Sequence, residues 1–493
     1  MIPRLTDATD KNPLDAGGAP PRGALRPLTA AGAWAGIAAL ALAAFAAQGC
    51  SRERAAWTER KGAPPSGTAS ASAPDILVVL VDALRADHLS CYGYPRATSP
   101  SLDRWAGGAA LYTHAYTQAT HTRMSIASLF TGSRPTVHRV REVDLPADNP
   151  PTRAGATTDA LSGRFTTLAE SLSAAGYETW GFSANPHVSS ELGFDQGFTR
   201  FWETTSRKGS EMVERFLRDW RGRPADAPAR PLFAYLHLMS VHNPYDPPRP
   251  FAAAFPSPKD GRVTYKNGLA PRMTPDDLAA TIARYDGGIL YTDSLLERLM
   301  PVWEAPGGRP RVLVILSDHG EEFLDHGGLG HGTTAYGELA RIVLIVKAAG
   351  VPPGRYDTPV TTLDVHRLLL DLAGAPAPPH AQGRPFVSWG RSQDPAGVLY
   401  TESRTGWTAF RSQGRTLLFP LTDFSRAMWF DTLTDPGEQA PRNDAATLEQ
   451  MHADLERALA GDQVLALSMG TPDRRPLRNE TIETLKGLGY AGG

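Results

Sequence analysis

At 493 residues the chain can hold one large domain or two ordinary ones. Its 41% hydrophobic and 21% charged residues are ordinary globular composition, and a net charge of −2 leaves no basic field that would favour nucleic acid. The 2 cysteines, Cys50 and Cys91, exclude a disulfide framework.

Residues 1–50 read as a targeting segment. Arg4, Lys11, Arg22 and Arg26 precede the uncharged run LTAAGAWAGIAALALAAFAA at 28–47, a basic region followed by an apolar one. The run is also long enough to span a bilayer. It closes AAQGC, a small-residue ending on Cys50 that resembles a bacterial lipoprotein signal, with Ala47 where that signal usually has Leu. A lipid on Cys50 and a plain signal anchor remain alternatives. Both place the rest of the chain outside the inner membrane, on the periplasmic or outer side of a bacterial cell envelope and tethered by its N-terminus. Residues 51–74, rich in Pro, Ser and Ala, read as a flexible tether.

From residue 75 to about 385, continuous apolar runs alternate with helical patterns. ILVVLV (76–81), ETWGFSA (178–184), PLFAYLHL (231–238), RVLVIL (311–316) and RIVLIVK (341–347) are strands of the kind buried on both faces. TLAESLSAAG (167–176), EMVERFLRDW (211–220) and TTLDVHRLLLDLAG (361–374) carry apolar residues at helical spacing. The alternation predicts an α/β/α sandwich around a mostly parallel sheet. Residues 386–493 read as a C-terminal subdomain: short alternating runs form a small antiparallel sheet, followed by a helix from Ala445 to Leu459 and a loose tail.

In such sheets ligands sit outside the carboxyl ends of the strands. Asp82 directly follows the first run, His242 follows the third in SVHNPY, and Asp318-His319 follow the fourth in LSDHGE. Each has a bland reading, as a turn former or helix cap. Together with the Gly-rich HGGLGHG loop they favour a shell of two carboxylates, an imidazole and a hydroxyl around one divalent ion. The hydroxyl comes from THTRMSIASLFTG (120–132), where Thr122 precedes a helix start near Met124 and suits both a cap and a nucleophile. His114, His138, His366 and Cys91 read as packing residues. His187 in SANPHVS lines either a cleft or an ordinary polar loop.

DILVVLVDALRADHLSCYGYPRATSPSLDRWA, THTRMSIASLFTG, HLMSVHNPYDPP and SDHGEEFLDHGGLGHG occur in this order. They resemble, one after another, the motifs of the sulfatase family within the alkaline-phosphatase-like superfamily. The resemblance runs from about Asp75 to the C-terminus and implies the α/β/α fold, a metal-dependent ester hydrolase or transferase, and one divalent ion (Ca, Zn, Mn or Mg). It implies metal ligands at Asp82, Thr122, Asp318 and His319, catalytic roles for Thr122, His242 and His331, and substrate contacts from Arg123 and His326. The chain departs from the pattern in having Ala83 where many sulfatases have a second Asp, and Ile126 where an Arg follows the nucleophile at four positions' distance.

Thr122 itself changes the expected chemistry. Sulfatases of the usual kind oxidise a Cys or Ser here to an aldehyde, whereas a threonine must attack as an alkoxide. That favours phosphate over sulfate esters, because the adduct needs a second displacement at the transferred atom. The expected substrate is a small-molecule, lipid or glycan ester. Arylsulfatase-type hydrolysis and a sulfatase-fold binding protein without turnover remain open alternatives.

Overall fold

The computed structural model describes residues 57–141, 157–223, 230–265, 267–386 and 399–487, all within one compact unit that spans 54–493. The targeting segment 28–47 and Cys50 lie outside the described residues. Among the described residues no helix is long and apolar enough to cross a membrane.

The main sheet contains β1 (Trp57–Lys61), β2 (Asp75–Val81), β3 (Ala110–Tyr112), β4 (Glu178–Ser183), β5 (Arg200–Thr204), β6 (Leu232–Leu238), β7 (Arg311–Leu316), β8 (Leu344–Lys347) and β9 (Gly354–Tyr356). Their order is β1-β5-β4-β6-β2-β7-β8-β3-β9. The five strands from β5 to β7 run parallel, so β4, β6, β2 and β7 end on one edge. β1 and β8 are antiparallel to their neighbours. Every residue of β2 and β6 is buried, as their unbroken apolar sequences require.

Side chains alternate across the sheet. Ile76, Val78 and Leu80 share a core with Ile126, Leu129 and Phe130 of α1 (Thr122–Thr131), Leu168 and Leu172 of α2 (Leu168–Ala174), and Leu368 and Leu369 of α5 (Thr362–Ala373). α3 (Gly209–Arg221) and α4 (Pro275–Trp303) meet elsewhere, where Phe216 touches both Phe182 of β4 and Trp303. α2 and α5 each begin with a capping box, Thr167 with Glu170 and Thr361 with Asp364.

Three expectations are corrected. The run 341–347 is not one strand: Ser317 takes both backbone groups of Val343, its N–H donating to the Val343 carbonyl (3.2 Å) and its Oγ accepting from the Val343 N–H (3.0 Å). Arg341–Ile342 therefore pairs with Ala115–Tyr116, and only Leu344–Lys347 joins the main sheet. Residues 57–74 are not a free tether. Trp57–Lys61 forms the edge strand against β5, Arg215 stacks on Trp57, and Arg309 donates to the carbonyls of Ser70, Ala71 and Ala73. Nor is the tail loose, since a helix over Asp462–Met469 is held by a bidentate Arg134–Asp462 pair (2.9 and 2.7 Å) and Asp473–Pro476 pairs with Thr157–Ala160.

The C-terminal sheet is a four-stranded antiparallel meander of β10 (Leu399–Glu402), β11 (Trp407–Ser412), β12 (Arg415–Pro420) and β13 (Met428–Asp431). The helix Ala445–Leu459 covers it with Met451 and Leu455. His326 fastens the preceding segment to it: Nδ1 meets Glu338 (2.9 Å), Nε2 meets the Glu438 carbonyl (3.0 Å), and the ring stacks on Tyr336 at 3.6 Å.

Burial alone would lower the His326 pKa, but the hydrogen bond and charge of Glu338 together with Glu438 outweigh it and lift the pKa to about 9. A base whose pKa is raised on folding stabilises fully below its unfolded value, near 6.5, and loses that contribution as pH rises through about 9. The wild-type melting temperature should fall more steeply between those two pH values than that of His326→Gln. Parallel slopes in a thermal-shift series would contradict this role.

Candidate active site

Asp82 leaves β2 with its N–H on the Leu238 carbonyl (3.0 Å), carrying the β2–β6 ladder one step beyond the strand. Its side chain is wholly buried. Oδ2 accepts from Asn185 Nδ2 (2.6 Å) and from His237 Nε2 (2.9 Å), whereas Oδ1 has no hydrogen-bond partner. Because His237 spends its Nε2 proton on Asp82, its Nδ1 accepts from the Tyr235 hydroxyl (2.9 Å).

Asp318 mirrors this arrangement from the end of β7. Its Oδ1 accepts from the N–H groups of Ala83 (3.1 Å) and His319 (3.0 Å), and its Oδ2 has no hydrogen-bond partner. His319 donates Nδ1–H to the Gly320 carbonyl at 2.8 Å, which leaves a lone pair on Nε2. That nitrogen lies 3.3 Å from Asp318 Oδ2, 3.7 Å from Asp82 Oδ1 and 3.2 Å from Thr122 Oγ1.

Two buried carboxylate oxygens without donors, one imidazole lone pair and one hydroxyl oxygen thus converge. Buried carboxylates so close together are costly unless a positive charge lies between them. Burial and the charge of Asp82 push the Asp318 pKa up. For Asp82 burial acts the same way, but His242 and His237 outweigh it and hold its pKa well below the usual range. This donor set fits a divalent cation. Ligand atoms of Asp82, His237 and Asp318 also lie within 4.8 Å of one another, but His237 is committed to Asp82 Oδ2 and so orients that carboxylate.

Thr122 is the first residue of α1, and the cap position is taken by His121, which makes no side-chain cap bond. Thr122 is therefore not the cap that the sequence allowed, and its Oγ1 points to His319. The helix also begins two residues before Met124. Ser125 Oγ donates to the Asp318 carbonyl (2.8 Å), fixing α1 to the end of β7. Ile126 is buried in the core.

Arg123 diverges from Thr122. It is fully buried, reaching Thr158 Oγ1, the Asp159 carbonyl and, at 3.0 Å, His187 Nδ1. A guanidinium only donates, so His187 Nδ1 accepts and the imidazole proton sits on Nε2. Arg123 acts on the cleft through His187, whose ring meets that of His121 at 4.8 Å.

His242 and His331 face each other with ring centroids 5.0 Å apart, and His331 is 4.3 Å from His319. His242 donates Nδ1–H to the Asn243 carbonyl (2.8 Å), and burial lowers its pKa to about 3. His331 has Nδ1 on Glu321 Oε1 at 2.8 Å. Burial opposes its protonation, but Glu321 outweighs this and raises its pKa. His326 is not brought into this group, since both its nitrogens are engaged at the C-terminal sheet.

Sequence reading missed Asn185, His237 and Glu321. Glu321 had a signal in the spacing of DHGEE. The other two emerge only from strand pairing.

Ala83 adopts φ 56°, a strained value for a non-glycine residue. Tyr285 holds it there, donating to the Ala83 carbonyl (2.7 Å) and accepting from the Arg85 N–H (2.8 Å). Tyr285→Phe leaves both buried groups unpaired, and chemical denaturation should show a loss of about 1–3 kcal/mol. An unchanged denaturation midpoint would remove this clamp from the account.

Residues 74–375 match the family model for Sulfatase. Arylsulfatase A of Bos taurus is 35% identical over 142 residues, 28% of this chain and 26% of that enzyme. Arylsulfatase A of Homo sapiens is 26% identical over 361 residues, 64% of this chain and 66% of that enzyme. The chain thus spans less than two thirds of either relative's length. Among solved structures, a protein bound to its substrate D-glucosamine-2-N,6-O-disulfate superimposes with TM-score 0.61 at 17% identity, covering 81% of this chain and 99% of that one. The phosphonate monoester hydrolase of Agrobacterium radiobacter gives 0.62 at 18% identity, covering 80% and 96%. The family match spans well over half of the chain, and the chain belongs to the sulfatase family.

Proposed function

We propose that the protein is a metal-dependent hydrolase or transferase of phosphate or sulfate esters, with Thr122 as the covalent nucleophile. The observation that carries this reading is the convergence of Thr122 Oγ1 and His319 Nε2 (3.2 Å apart) with the unpartnered oxygens of Asp82 and Asp318. Asp82, Asp318, His319 and Thr122 would hold a divalent ion. When bound, that ion would favour the alkoxide form of Thr122 and neutralise charge on the ester.

The chain's own residues supply the rest. Thr122 at the first position of α1 places the anionic ester at a helix N-terminus. Thr122 attacks the transferred atom, and His331, kept charged by Glu321, gives its Nε2 proton to the leaving oxygen. His242, neutral with Nδ1–H on the Asn243 carbonyl, takes a proton from the water or acceptor alcohol that releases the adduct, with the charge of Asp82 favouring the imidazolium against burial. His237 and Asn185 keep Asp82 turned so that Oδ1 faces the site.

The fold is shared by proteins named for sulfated and for phosphonate substrates, so it does not choose between the two esters. Thr122 does. Its adduct carries no hydroxyl through which it could collapse, and phosphorus accepts two successive displacements readily. Phosphate or phosphonate esters are the favoured class. We also place the chain in a bacterial cell envelope, tethered through residues 28–47 or a lipid on Cys50.

Thr122→Ala should lower turnover on p-nitrophenyl phosphate, phosphonate and sulfate esters by at least about a thousandfold. A phosphorylated Thr122 peptide should be trapped by acid quench and seen by mass spectrometry. Full turnover by Thr122→Ala on every ester the wild type cleaves would sink the reading. Chelation should abolish activity and re-addition of a divalent ion restore it. His237→Ala should weaken metal affinity by about 10–100-fold in calorimetric titration, which an inert core histidine would not do.

A further inference from the structure

The two aspartates of the candidate metal centre are held alike, although they follow different strands. Each has one carboxylate oxygen saturated by a pair of donors. Asp82 Oδ2 takes Asn185 Nδ2 (2.6 Å) and His237 Nε2 (2.9 Å), and Asp318 Oδ1 takes the N–H groups of Ala83 (3.1 Å) and His319 (3.0 Å). Of these carboxylate oxygens, only Asp82 Oδ1 and Asp318 Oδ2 have no hydrogen-bond partner among the described residues. Each aspartate therefore offers a cation a single oxygen, and neither can chelate it through both without giving up a donor.

The donors to Asp82 are themselves fixed. Tyr235 and His237 lie two residues apart on β6, so they share one face of the sheet, and both are buried. The Tyr235 hydroxyl donates to His237 Nδ1 (2.9 Å), which keeps the imidazole proton on Nε2, toward Asp82. The Tyr235 ring is locked edge-on against Phe130 of α1, with centroids 5.0 Å apart. Asn185 is oriented from its other end. Its Oδ1 accepts from the His187 N–H (2.8 Å), so the amide must present Nδ2 to Asp82.

What remains for a cation is one oxygen each from Asp82, Asp318 and Thr122, and the lone pair of His319 Nε2. Such a set is poor for calcium, which takes roughly six to eight oxygens and often a carboxylate through both of its own, and for magnesium, which takes an octahedron of oxygens. A mixed nitrogen and oxygen set of this size suits zinc. The spacing agrees. Ligand atoms about 2.0–2.1 Å from a tetrahedral zinc stand about 3.3–3.4 Å apart, whereas neighbours in a magnesium octahedron stand about 2.9 Å apart. His319 Nε2 lies 3.2 Å from Thr122 Oγ1, 3.3 Å from Asp318 Oδ2 and 3.7 Å from Asp82 Oδ1.

We propose that Tyr235, acting through His237, and Asn185 are positioning residues that limit Asp82 to one-oxygen coordination, so that the centre selects zinc over calcium and magnesium. This rests on the reading of Asp82, Asp318, His319 and Thr122 as a metal centre, and it goes beyond that reading by naming the ion and the residues that choose it. Loss of either donor frees Asp82 to turn and present both oxygens, which favours a larger, oxygen-seeking ion.

The test is metal binding by the full chain after chelation and dialysis. One zinc ion per chain should bind, and calcium or magnesium in about thousandfold excess should not displace it in a calorimetric competition. Cobalt, a spectroscopic stand-in for zinc, should give the strong visible bands of a four-coordinate ion, and added zinc should bleach them. In Tyr235→Phe and in Asn185→Ala the zinc-to-calcium affinity ratio should fall by about 10–100-fold. A general loosening of the core would weaken both metals together and leave that ratio alone, and Asn185→Ala, outside the strands, reports even where the buried Tyr235→Phe folds poorly. Displacement of zinc by calcium or magnesium at comparable concentration, the weak bands of six-coordinate cobalt, or a wild-type ratio in the folded variants overturns the inference. Zinc selection with full ester turnover by Thr122→Ala would leave it standing and sink the catalytic reading. Calcium-dependent turnover that Thr122→Ala abolishes would do the reverse.

Discussion

Asp82 Oδ1 and Asp318 Oδ2 are buried carboxylate oxygens, each without a hydrogen-bond donor, that face the same imidazole nitrogen. The other oxygen of each is saturated: Asn185 and His237 take one, and two backbone N–H groups take the other. Such an arrangement is unstable as an empty hole and stable around a cation. Everything nearby follows from keeping it. Ala83 accepts a left-handed backbone so that its N–H can reach Asp318 Oδ1, and Tyr285 on α4 holds it there.

The parallel sheet makes the convergence geometrically cheap. β6, β2 and β7 are neighbours in register, with Val79 opposite both Leu236 and Ile315, so the residues that follow them emerge side by side. The antiparallel β8 then continues the sheet beside β7, and the Ser317–Val343 exchange marks where the strand stops and the site begins. α1 adds the hydroxyl from one side. Its ten residues are all buried, so the helix cannot rotate Thr122 away without repacking the core.

What could be read from the sequence was whatever depended on residues close together in the chain. Unbroken apolar runs marked the four main strands, and a carboxylate or imidazole soon after three of them marked the edge that carries chemistry. His237 could not be found that way. It sits inside β6, one residue before the strand's end, and only the parallel register that sets it opposite Leu80 brings it to the carboxylate just beyond. Asn185 belongs to a loop more than a hundred residues from its partner. Arg123 and Thr122 are adjacent in sequence and point to different places, because neighbouring residues on a helix diverge by about 100°. Trp57–Lys61 escaped notice because an edge strand needs little apolar sequence, and its partner β5 supplies the aromatic surface through Trp202.

The two departures from the sulfatase pattern have opposite sign. Ala83 stands where many relatives carry a carboxylate next to the first metal aspartate, and Ile126 stands where they carry an arginine. Relative to that pattern one change removes a negative charge and the other a positive one, so the sum is kept. Decay of an unused site would have no reason to balance them, nor to keep Asp82, Asp318, His319 and the Glu321–His331 pair fully formed around an unsatisfied centre. With two carboxylates and two neutral donors, a divalent ion held there would be neutralised by its ligands alone. In the proposed reading, charge toward the ester then comes from further out, from the helix N-terminus and from His331. Replacement of an aldehyde-forming residue by threonine fits the same picture, since an alkoxide adduct on phosphorus needs no processing of the nucleophile, only a second displacement with a base and an acid in place.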